Sequence, residues 1–67
     1  MIENAIKISE RIEKGFIYLK SANEKDYEKF KPALEKLIEE YEEIIKKETN
    51  EDIKALLTRI FILSVKG

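Results

Sequence analysis

Large apolar residues recur along the whole chain at steps of three and four, and only two short polar stretches, Ser21–Asn23 and Thr49–Asn50, interrupt the rhythm. That period is the α-helix's own, since a helix returns to the same face about every 3.6 residues. No segment sustains the period-two alternation of a strand, and no Asn-Gly or Asp-Gly hairpin turn occurs. The chain is therefore expected to be all-α, a single helical domain over 1–67 with helices at about 2–21, 24–48 and 51–66.

The first stripe is Ile2, Ala5, Ser9, Ile12, Phe16 and Leu19. Gly15 lies inside it, either as an exposed glycine that weakens the helix or as the point where a neighbouring helix comes close. Asn23 is placed to cap the second helix, with Glu24 and Asp26 in its first turn. The second stripe runs Tyr27, Phe30, Leu34, Leu37, Tyr41, Ile44, widened by Ile38 and Ile45. Pro32 removes one hydrogen bond and crowds the Glu28 carbonyl, so it either kinks this helix or divides it. The unbroken phase of the stripe across Pro32 favours the kink. Thr49 with Asp52 approximates a capping box for the third helix, whose inward residues are Ile53, Leu56, Leu57, Ile60, Phe61 and Ser64.

Short connections make neighbouring helices antiparallel, giving an up-down-up arrangement built on a long helical hairpin. The third helix is the shortest and would stop near the level of Ala33, leaving the hairpin tip projecting some 13 Å beyond it. Phe16, Ile17, Tyr18 and Leu19 wrap most of the way round the first helix there, joined by Tyr27 and Phe30. A second all-round apolar run, Ile60 to Leu63, includes Ile62. Isolated surface hydrophobics are ordinary, but a contiguous apolar patch marks an interface. A domain of 67 residues buries little of its surface. With no cysteine for disulfides and no histidine for metal, oligomerisation is the stabilising device left. The expected interface is Phe16, Ile17, Tyr18, Leu19, Tyr27, Phe30 and Ile62, completing a larger bundle by self-association, as a homodimer. The alternative is a monomeric adaptor whose groove between the first two helices binds a peptide or partner helix.

The same composition argues against catalysis. Serine and threonine hydroxyls have no histidine to activate them, and two glycines cannot build a phosphate loop. Glu35, Glu39 and Glu43 repeat at i,i+4; such carboxylates can bind hard cations, although a solvated helix face is the commoner meaning of the run. No enzyme activity, cofactor or metal is expected. Thirteen basic against 14 acidic residues, with the lysines interleaved among glutamates, show no basic stripe along the chain, so nucleic acid is not an expected partner. No stretch approaches the ~20 apolar residues of a membrane span, and a signal-peptide core is missing, which makes a cytoplasmic location the expectation. The abundance of glutamate, lysine and isoleucine fits a thermophilic source or an AT-rich genome.

Two family resemblances involve the second helix. The run Ala33-Leu34-Glu35-Lys36-Leu37-Ile38-Glu39-Glu40-Tyr41-Glu42-Glu43-Ile44 resembles the metal-bearing helix of rubrerythrin and other ferritin-like proteins. In that family the positions of Tyr41 and Ile44 carry the Glu and His of an iron motif, so the resemblance implies a metal-free ferritin-like hairpin. Asp26-Tyr27-Glu28-Lys29 followed by further helices looks like the microtubule-interacting and trafficking domain, which implies a three-helix bundle with a peptide groove. Phe30 departs from that family's usual alanine.

Overall fold

The computed structural model describes residues 2–66, and among these every element is helical: α1 (Ile2–Ser21), α2 (Glu24–Lys47) and α3 (Glu51–Lys66). Each break has a chemical cause. The Asn23 side chain accepts the Asp26 N–H at 2.8 Å, meeting one of the orphan donors at the start of α2. At its end the Glu48 N–H reaches the Ile44 and Ile45 carbonyls, both at 3.2 Å, as the backbone turns extended. The cap of α3 is Asn50 rather than Thr49: its Oδ1 accepts from Asp52 at 2.9 Å and from Ile53 at 3.2 Å. Asparagine's carbonyl reaches two amides at once, and Glu48 Oε1 holds the Asn50 N–H at 3.0 Å, fixing the cap from behind. The capping box read at Thr49 is thereby displaced by one residue.

Helix α2 is continuous through Pro32. The proline is exposed, on the side away from the buried Leu34 and Tyr41, so water can serve the Glu28 carbonyl that loses its donor.

Helix α1 is the hub. It packs on both α2 and α3, while α2 and α3 meet each other least. Its buried positions are Ala5, Ser9, Ile12 and Gly15, three of them small, which lets both neighbours approach closely. The buried hydroxyls of Ser9 and Ser64 donate to carbonyls of their own helices, to Ile6 at 2.7 Å and to Ile60 at 2.9 Å, so neither needs a partner across the core. Between α2 and α3 the tie is Tyr41, fully buried, whose ring stacks on Phe61 with centroids 5.5 Å apart and whose hydroxyl donates to the Leu57 carbonyl at 2.6 Å.

These contacts set the register. Tyr41 lies level with Leu57 and Phe61, so the last residue of α3 falls between the levels of Pro32 and Lys36. The α1–α2 hairpin projects roughly 13 Å past it. The molecule is 41 Å long and only 17 by 15 Å across, with a radius of gyration of 12.6 Å. A compact chain of this length has a radius nearer 11 Å.

Candidate interaction surfaces

Successive helical residues are about 100° apart, so the buried positions of each helix fix where its other side chains point. On α1, Gly15 faces α2: a Cβ built there would lie 2.9 Å from Leu34 Cδ1 and 3.2 Å from Phe30 Cε2. Gly15 is thus the point of close helix approach, and the exposed-glycine reading is excluded. Ile2 lies at the opposite end of α1, sharing a depression with Ile44, Lys47 and Glu48 at the end of α2 and with Ile53 and Leu57 of α3.

The seven residues read as one interface separate on this frame. Phe16, Leu19 and Phe30 are half-buried and pack on the core, so they are floor rather than surface. Tyr18 is 45% exposed on the α2 side of α1, where its ring meets Phe30 edge-on at 5.2 Å and 72°. Ile17, half exposed, lies about 100° round the helix from Tyr18 on the opposite edge. Tyr27 and Ile62 are also exposed. Tyr27 points toward the space beyond the end of α3, and Ile62 points outward from α3 on its α2 side. The tip is therefore not one patch. A four-residue apolar run on a helix must distribute itself over several faces, and only the neighbours decide which of those faces stay open.

A larger apolar surface lies elsewhere. Ile2, Ile6 and Ile17 on α1 and Leu56 and Leu63 on α3 are exposed by 38 to 60%. By helical phase Ile6 and Ile17 of α1 and Leu56 and Leu63 of α3 turn to the outer flank of the α1–α3 pair, with Glu13 between Ile6 and Ile17 and with Ile17 past the end of α3. Sequence reading placed Leu56 inside because it extends the stripe of α3. Tyr41 and Phe61 rotate that helix so that Leu57 and Ser64, also expected inside, are buried while Leu56 is left exposed. Of the expected interface, Ile17 alone belongs to this flank.

The opposite face, along the α1–α2 seam, differs in character. Lys7, Arg11 and Lys14 form one row on α1, and Lys29 and Lys36 line the facing edge of α2. Two open depressions run along the seam. The lower, of about 510 Å³, is bounded by Asn4, Lys7, Ile8, Glu10 and Ile44 among others. The upper, of about 300 Å³, is formed by Gly15, Tyr18, Phe30 and Leu37, with the stems of Arg11 and Lys14 at its rim. No basic stripe exists along the sequence, and antiparallel pairing brings cations from both helices to the seam with Glu10 among them.

Among the described residues no group of three or more acidic side chains is arranged to hold a metal ion, and no helix is long and apolar enough to cross a membrane. The Tyr41 phenol, in the core, is pushed above its ordinary value by burial. The chain matches no protein-family model, no curated protein and no solved structure, so neither family resemblance of α2 gains support.

Proposed function

We propose that this chain is a non-catalytic assembly module that pairs with a second copy of itself through the outer flank of α1 and α3. The observation that carries the reading is surplus surface. The chain exposes 5282 Å², roughly 900 Å² more than the 4,400 Å² or so that a compact monomer of its mass presents. A standard protein interface takes about 800 Å² from each partner. The exposed Ile6, Ile17, Leu56 and Leu63 turn to this flank by helical phase, and pairing two such flanks about a two-fold axis would close a larger bundle.

Light scattering across a concentration series tests this directly, with the expected mass approaching twice that of the chain. Ile17→Asp and Leu63→Glu alter exposed side chains and should leave a folded monomer. Phe16→Asp is a different kind of change, because Phe16 packs on the core, and it should unfold the chain itself. A monomeric wild-type protein at every concentration, or a dimer untouched by both flank substitutions, overturns the proposal.

A further inference from the structure

The upper depression on the α1–α2 seam is independent of the flank just described. Its walls are nearly all carbon: the face of Gly15, the rings of Tyr18 and Phe30, and Leu37. Its surroundings are cationic. Arg11 and Lys14 rim it from α1, and helical phase puts Lys29 and Lys36 on the edge of α2 toward α1, outside its lining. Of the carboxylates on this side, Glu10 shares the lower depression with Arg11 and Lys14, Glu40 stands one turn below Leu37, and Glu43 and Asp26 lie farther off, toward Ile44 and the hairpin end. The remaining glutamates of α2, from Glu24 to Glu42, occupy its outer side. In a chain with one more acidic than basic residue, the only charged side chains that line this apolar hollow among the described residues are the cations Arg11 and Lys14.

From this arrangement we infer that the hollow is a docking site for an acidic amphipathic helix of another protein, which would insert an apolar side chain between Tyr18 and Leu37 and set carboxylates against Arg11, Lys14 and Lys36. Charge complementarity names the occupant's sign, and the concave apolar floor names its anchor. Nucleic acid fits less well, because the cations stand at the perimeter and the centre offers nothing to a phosphate. A flat anionic membrane would leave the hollow unfilled. Gly15 is what makes the floor deep, since any side chain there would push Leu34 and Phe30 outward into it.

The test uses the whole chain and a labelled synthetic peptide with leucines at helical i, i+3, i+4 and i+7 spacing and glutamate elsewhere, read by fluorescence anisotropy. Binding is expected, weakening with salt and lost when glutamates are replaced by lysine. The double substitution Arg11→Glu with Lys14→Glu should weaken it about tenfold or more, as turning two attractive rim contacts repulsive requires. Lys20→Glu with Lys66→Glu changes net charge equally on other faces and should not. Tyr18→Ala should weaken binding through the anchor. The inference fails if both double variants behave alike, or if the acidic and basic peptides bind equally. It fails equally if phosphatidylserine vesicles or single-stranded polyuridylate bind as tightly as the acidic peptide with the same dependence on Arg11 and Lys14. Should the same pair of substitutions abolish self-association instead, the occupant is the acidic side of a second copy, and the inference is again overturned.

Discussion

The Tyr41 hydroxyl donates to the Leu57 carbonyl at 2.6 Å in the middle of the molecule, joining α2 to α3 through a buried side chain and a main-chain oxygen. In a regular helix that oxygen also accepts from the amide of Phe61, the residue on which the Tyr41 ring stacks. One tyrosine thereby sets both the rotation and the height of α3, which determines how much of the α1–α2 hairpin it leaves uncovered.

Tyr41→Phe keeps the ring and removes the hydrogen bond. Because the Leu57 carbonyl retains its helical donor, the loss should be about 1 kcal/mol. Tyr41→Ala removes the stacking and opens a void, costing about 3–5 kcal/mol. In a domain this small that leaves most molecules unfolded. Urea denaturation followed by circular dichroism separates the two, and equal midpoints for both variants would refute the role assigned to the ring.

Alkaline pH should weaken the fold through the same residue. Burial holds the Tyr41 phenol above its ordinary value of 10.0. Above about pH 10 the unfolded chain therefore releases this proton before the folded chain does, and stability falls as pH rises toward the raised folded value. Below pH 10 the contribution is complete. Measured across that window, wild type should lose stability more steeply than Tyr41→Phe, and parallel slopes would contradict the burial argument.

Gly15 and Leu34 form the tightest helix approach, and a double-substitution cycle measures it. Gly15→Ala gains about 1 kcal/mol of helix propensity, but its new methyl meets Leu34 Cδ1 at 2.9 Å. In a Leu34→Ala background the closest obstruction is gone and Phe30 Cε2 at 3.2 Å remains, so more of the gain should appear there than in the wild-type background. Additive effects would show that α1 and α2 part easily at this level.

The start of α3 offers a simple discrimination. Asn50→Ala removes acceptance from both Asp52 and Ile53 and should cost about 1 kcal/mol. Thr49→Ala, one residue earlier, should leave thermal stability nearly unchanged. The reverse order of effects would restore Thr49 as the cap.

Much of the fold was legible because helical period and capping chemistry are local. Asn23 acts on an amide three residues away, and the stripe of α2 holds phase through Pro32, so both could be read without tertiary information. The surfaces were less legible. Leu56 continues an apolar stripe and yet is 46% exposed, while Phe16 and Ile17 are neighbours with opposite fates, one packed on the core and the other half exposed. Periodicity ranks faces by their apolar content. It does not say which of two apolar faces a neighbouring helix will cover.

Length, break points and the three stripes were determined by sequence alone, since each depends on interactions within a turn or two of helix. Which apolar residues remain in contact with water, and the placing of Arg11 and Lys14 at the rim of one hollow with Lys29 and Lys36 on the facing helix, were decided by tertiary packing. The reason is geometric. Those lysines and arginine are separated along the chain by glutamates, and only the antiparallel pairing of α1 with α2 and the rotation of α3 locked by Tyr41 sort side chains into faces that no single helix contains.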